Sequence, residues 1–269
     1  MGHDGLVTDA IDRPKSPIHL QRHRLVTSDG VPLDAALRRS DAPRATAVVL
    51  ANGFTGTHNS SDTRAIAEGL MPVGDVLTFD FRGHFDSGGC STVGNAEIHD
   101  LEAAVAHLRE RGYTSVATVG FSMGAAVAVR HAAACGGVSA VVSVSGPSRW
   151  YYRGTRRMRL LHFGVHATLG RAFLRYARKV RVTDQEWADL PAEPRAVAGD
   201  IAPVPLLVVH GDADAYFPVS HAVAIHDAAR EPRELWVVPG MKHAERGVTP
   251  ELTVRLRDWL LTRVTAHQG

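Results

Sequence analysis

The chain has 269 residues, of which 45% are apolar and 22% charged, with a formal net charge of +2. That charge is too small to indicate nucleic-acid binding, and the apolar share is ordinary for a soluble protein with a sizeable core. Two cysteines, Cys90 and Cys135, cannot build a disulfide framework and lack the CxxC spacing of a zinc site. This usage fits a cytoplasmic location. No apolar run approaches the ~20 residues a membrane span requires.

Met1 to Pro17 contains Asp4, Asp9, Asp12, Arg13 and two prolines without a sustained apolar run, so residues 1–17 read as a flexible arm rather than a signal peptide. His19–Val26 and Val31–Leu37 are extended segments around the turn sequence Ser28-Asp29-Gly30, which predicts an opening β-hairpin. Strand and helix signals then alternate. Strands are expected at Thr46–Leu50, Val76–Phe79, Val116–Val119, Val138–Val144, Leu206–Val209 and Leu235–Val238, and helices at Ser61–Leu70, Glu97–Arg111 and Ala125–Ala134. Short, continuously apolar strands between helices predict an α/β fold with a mostly parallel central sheet and helices on both faces.

One stretch breaks this rhythm. About sixty residues between Ser145 and Leu206 carry no strand signal, hold much of the aromatic content, and have prolines clustered at both ends. Met158–His166 and Leu169–Val180 have apolar residues at helical spacing. The expected organisation is a core of residues 18–146 and 200–269 with a helical cap, 147–199, over the carboxyl edge of the sheet.

The strongest chemical motif is Gly120-Phe121-Ser122-Met123-Gly124, which follows a predicted strand and opens a predicted helix. A sharp strand-to-helix turn lifts the central hydroxyl above the sheet and aims helix-terminal N–H groups at an oxyanion. Serine needs a base to act as a nucleophile. Of 15 histidines, His243 is the candidate, in a loop between the last strand and the last helix. A third group should orient that base. In His210-Gly211-Asp212-Ala213-Asp214, two aspartates follow a strand, and position in the loop leaves Asp212 and Asp214 equally placed.

Asn52-Gly53-Phe54-Thr55-Gly56, Asp80-Phe81-Arg82-Gly83-His84, the serine motif, His210–Asp214 and His243 occur in the order seen in α/β hydrolases. From about residue 20 to 265 the chain resembles that superfamily. Within it, the chain is most similar to small capped serine esterases, which include feruloyl and cinnamoyl esterases and related lipase-like hydrolases. The resemblance implies Ser122, Asp214 and His243 as catalytic residues, with the spacing from His210-Gly211 selecting Asp214. It also implies an oxyanion hole from the N–H groups of Phe54 and Met123. Two departures stand out: Asn52 replaces the usual His, and Phe85 replaces Gly in Arg-Gly-His-Gly, where permissive backbone is expected. Phe85 could narrow the pocket mouth. Trp150 and Tyr151, with Tyr152 just past a strand end, are candidates for an aromatic substrate wall.

The cap's cations are Arg149, Arg153, Arg156, Arg157, Arg159, Arg171, Arg175, Arg178, Lys179 and Arg181. They read either as a solvated helix face or as recognition of an anionic substrate, such as a carboxylate or the phosphates of a coenzyme A thioester. The leading expectation is hydrolysis of a small-molecule carboxylic ester or thioester through an acyl-enzyme, with no metal or organic cofactor. The same residues could serve a lactone, an amide or a carbon–carbon bond. A different class is a non-hydrolytic ligand-binding or cyclisation-template protein on this fold. Oligomeric state is not legible.

Overall fold

The computed structural model describes residues 18–187 and 189–264; the expected arm, 1–17, lies outside them. Eight strands form one sheet in the order β1-β2-β4-β3-β5-β6-β7-β8. These are β1 (Ile18–Val26), β2 (Pro32–Ser40), β3 (Thr46–Ala51), β4 (Asp75–Phe79), β5 (Ser115–Phe121), β6 (Ala140–Val144), β7 (Leu206–Gly211) and β8 (Arg233–Val238). The opening hairpin pairs β1 with β2 antiparallel, and β2 runs antiparallel to β4. Every other pairing is parallel.

Burial explains why the strand segments read as continuous apolar runs. Every residue of β3, β4, β5, β6 and β7 is buried, because helices cover both faces. In β3 the pleat sends Ala47, Val49 and Ala51 into one core layer, and Val48 and Leu50 into the other. The first layer packs against α2 (Glu97–Glu110), α3 (Met123–Ala134) and α7 (Ser220–Ala228); the second packs against α1 (Ser61–Leu70) and α8 (Pro250–Val264). Each fully buried Val or Leu contributes roughly 1.5–3 kcal/mol, so the middle strands anchor everything placed at their ends. β1 is the opposite case, an edge strand with only Leu25 buried.

Between β6 and β7 the chain forms a helical hairpin, α4 (Arg156–His166) and α5 (Thr168–Ala177), then a short α6 (Pro194–Val197). Thr155 caps α4 by accepting a hydrogen bond from Met158 N. The apolar spacing predicts a helix as far as Val180, but α5 stops at Ala177. Lys179 takes a left-handed φ of 55° and Val180 N reaches back to the Leu174 carbonyl, a C-terminal cap that turns the chain out of the helix. Val180 and Val182 then bridge to His84 and Ser91, tying the hairpin to the loop after β4.

The tightest packing occurs where α3 begins. A Cβ on Gly124 would overlap the Ala51 carbonyl at the end of β3, and one on Gly120 would overlap the Gly124 carbonyl. Both glycines are therefore required by close backbone approach. Gly124→Ala is expected to destabilise the protein by about 3 kcal/mol, the upper end of overpacking costs. Urea unfolding checks this, and a loss well under 1 kcal/mol would mean the crossing relaxes.

Candidate active site

The turn from β5 into α3 holds Ser122 at φ 51° and ψ −113°, a strained conformation for a residue with a side chain. Among the described residues seven non-glycine residues have positive φ, and five of them, Thr55, Phe85, Ser122, Ser145 and Ala244, lie in loops at the carboxyl ends of strands. Backbone strain of this kind collects at functional sites.

Ser122, His243 and Asp214 come together there from three loops. His243 Nε2 lies 2.9 Å from Ser122 Oγ, and His243 Nδ1 lies 2.7 Å from Asp214 Oδ2. The Asp214 side chain is fully buried, and its other oxygen accepts from the N–H groups of Tyr216 and Phe217 at 2.7 and 3.1 Å. Burial pushes the carboxyl's pKa up, but the hydrogen bond and charge of His243 and these two N–H groups outweigh it. The net effect holds Asp214 below its ordinary value. A buried carboxylate acceptor requires the proton on Nδ1, which leaves the Nε2 lone pair facing the serine hydroxyl. Asp212, equally placed in the sequence, is instead exposed and accepts from Gly240 N at 2.6 Å.

The loop Asn52–Gly56 lies beside Ser122. Asn52 donates to the Phe79 carbonyl at 3.2 Å and accepts from Thr63 Oγ1 at 3.0 Å, so the residue that departs from the usual His braces the loop. Gly53 N donates to Glu245 Oε1 at 2.6 Å, and Thr55 N donates to His84 Nε2 at 3.2 Å. His84 Nδ1 faces the Arg82 carbonyl at 2.9 Å, so it carries the proton and leaves Nε2 as the acceptor. Burial lowers the His84 pKa and favours this neutral form. Asp80, pushed up to about 6 by burial, accepts from His58 N and Thr57 Oγ1. The N–H groups of Phe54 and Met123 have no acceptor among the described residues.

The remaining sequence candidates make no hydrogen bond or ring contact with Ser122, Asp214 or His243 among the described residues. Phe85 is half-buried at φ 43°, the permissive backbone expected of a glycine position, and its N–H donates to the Lys179 carbonyl at 2.8 Å. Trp150 packs on Trp187 and donates to the Ala192 carbonyl, while Tyr151 is exposed against His162 and Arg153. The ring on His243 belongs to Tyr216, stacked at 4.3 Å with an interplanar angle of 30°. Phe217 follows at 5.7 Å. Tyr216, Glu245 and His84 are the residues that sequence reading passes over. Of these, His84 alone lies in a quoted motif. Two cations of the insert also reach this region: Arg157 lies over the Tyr216 ring at 5.5 Å, and Arg178 donates to Thr55 Oγ1 at 3.0 Å.

Among the described residues two groups of side chains could hold a metal ion, Asp34/His58/Asp80 behind the Asn52–Gly56 loop and Glu102/His131/Cys135 between α2 and α3. The first is already engaged in bracing that loop, and the second lies at the far end of α3 from Ser122. A surface cavity of about 480 Å³ lined by Arg109, Ser115, Val138 and Ser139 opens at the amino end of β5, a strand length from Ser122. No helix among the described residues is long and apolar enough to cross a membrane.

Residues 48–255 match the sequence profile of the Alpha/beta hydrolase family. The chain belongs to this family. No curated protein matches the sequence of this hydrolase. Among solved structures it is similar to the esterase Pf2001 of Pyrococcus furiosus, at 24% identity and TM-score 0.73 over 92% of each chain. It is also similar to the alpha/beta hydrolase GrgF of Penicillium sp. sh18, at 19% identity and TM-score 0.74, covering 92% of this chain and 99% of that one. Est1E of Butyrivibrio proteoclasticus, solved with ferulic acid bound, aligns at 20% identity and TM-score 0.64 over 90% and 99%. At these identities the likeness speaks for the fold.

Glu245→Ala leaves the buried Gly53 N–H without an acceptor and is expected to cost about 1–3 kcal/mol. Glu245→Gln, whose amide oxygen can still accept, is expected to recover most of it. Thermal unfolding of the two variants checks the pair.

Proposed function

We propose that this hydrolase cleaves a small-molecule carboxylic ester or thioester through an acyl-enzyme on Ser122. The observation that carries the reading is the continuous hydrogen-bond path from Ser122 Oγ through His243 to the buried Asp214, at 2.9 and 2.7 Å. The esterase named among its structural neighbours, and the ferulic acid held by another, support an ester as the bond class.

In the proposed reaction His243 Nε2 takes the Ser122 proton as Oγ bonds to the substrate carbonyl carbon. The carbonyl electrons move onto oxygen, and that oxyanion meets the N–H groups of Phe54 and Met123. Donors of this kind are each worth ~10²–10³ in rate because they act on charge that develops only in the transition state. The imidazolium, stabilised by Asp214, then protonates the leaving alkoxide or thiolate as its bond to carbon breaks. Water attacks the acyl-enzyme with His243 again as base, releasing the acid and restoring Ser122. Tyr216, stacked on the His243 ring, keeps the imidazole in the plane that both proton transfers need.

A fluorescent fluorophosphonate is expected to label the wild type and not Ser122→Ala, with p-nitrophenyl ester turnover lost in the same variant. A wild type that neither reacts nor turns over any acyl length would sink the serine-hydrolase reading. The aspartates give a second check. Asp214→Asn is expected to lower kcat about 10⁴-fold by disturbing the imidazole tautomer, whereas Asp212→Asn should stay within a few-fold of wild type.

A further inference from the structure

The hairpin between β6 and β7 carries a concentrated positive charge. Residues 149–181 hold ten Lys and Arg and no Asp or Glu, while the rest of the chain holds 20 cations against 28 acids. No ion pair among the described residues involves any of those ten. Their contacts are with carbonyl and hydroxyl oxygens and ring faces, as with Arg171 on the His166 carbonyl, Arg178 on Thr55 Oγ1 and Arg175 over Tyr176.

The outward side of the same hairpin is apolar where a solvated helix would be polar. On α5, Leu169, Phe173 and Tyr176 fall at i, i+4 and i+7 and are 82%, 63% and 80% exposed. On α4, Leu160 and Phe163 are 71% and 64% exposed. Contact with the rest of the protein is made by a different set, with Met158 and Leu174 buried. Exposed Leu and Phe flanked by arginines, with no acid among them, match a helix that lies in a lipid–water interface.

We propose that the α4–α5 hairpin docks peripherally on an anionic lipid surface. Its apolar side chains enter at headgroup depth, and its arginines meet lipid phosphates. Charge complementarity selects this occupant. A second copy meeting it face to face would bring ten unbalanced cations against ten. A soluble polyanion would satisfy the arginines but leave Leu169 and Phe173 in water. The docking does not depend on the hydrolytic reading. It does bring the lipid to the elements described above, since Arg157 lies over Tyr216 and Arg178 bonds Thr55.

Co-sedimentation of the full chain with vesicles of phosphatidylcholine, with and without phosphatidylglycerol, tests the proposal at low and high salt. Binding at least ~10-fold tighter to the anionic vesicles is expected at low salt, weakening as salt screens the arginines. Leu169→Ser/Phe173→Ser, both at exposed positions, should keep the wild-type melting temperature and lose about tenfold in vesicle affinity. Absence of binding to anionic vesicles would overturn the proposal, as would wild-type affinity in the double variant. So would a dimer in solution, dispersed by the same two substitutions without any vesicle binding, because it would assign the face to a second copy. Fluorophosphonate labelling of the same samples reports on Ser122 separately, so failure of docking and failure of the hydrolase reading are distinguishable.

Discussion

No side chain fits between the first turn of α3 and the end of β3, and the remainder of the site depends on that contact. The chain must reverse from strand to helix within one residue, so Ser122 accepts a left-handed backbone that costs of order 1–3 kcal/mol. The surrounding structure over-determines this geometry. Gly120 and Gly124 remove the atoms that would collide, and fully buried strands on both sides keep the crossing from opening. The same turn places the Met123 N–H at a helix N-terminus, without an acceptor among the described residues, beside the Asn52–Gly56 loop that follows β3. The strained backbone of Ser122 and the glycines on either side of it are thus consequences of one packing constraint.

Around that turn the polar groups form a connected set in which each acceptor state matters. Asp214 stays charged although buried, because three hydrogen bonds converge on it. His84 stays neutral for the converse reason, since only its unprotonated Nε2 can accept from Thr55 N. Glu245 joins the loop carrying His243 to the loop carrying Phe54 across 192 residues of sequence. Held by such bonds on rigid strand ends, the loops lose little freedom when a substrate arrives.

The helical insert obeys a different logic from the core. The core pairs the buried charge of Arg82 between Asp29 and Asp100. Among the described residues the insert leaves ten cations without an ion pair, beside a row of large apolar side chains in water on α4 and α5. The insert touches the core at loops after β3, β4 and β7, so what occurs on its outer face lies close to Tyr216 and Thr55.

The amino-acid sequence by itself determined the α/β class, the strand segments and the sharp turn at Ser122, because these rest on local pattern. Continuous apolar runs mark strands buried on both faces, and glycines two positions either side of a serine mark a close crossing. It left Asp212 and Asp214 equal on loop position alone. A resemblance separated them on paper, and only the fold put Asp214 under His243 and Asp212 out on a turn at Gly240. Helical periodicity carried α5 three residues too far, since a left-handed cap at Lys179 depends on pairing with a distant loop. Aromatic content pointed to Trp150 and Tyr151 and gave no sign that Tyr216 stacks on His243, and Glu245 gave no local signal. Which side chain faces which is a property of contacts between segments far apart in the chain, and those exist only once the sheet has brought the strand ends to one edge.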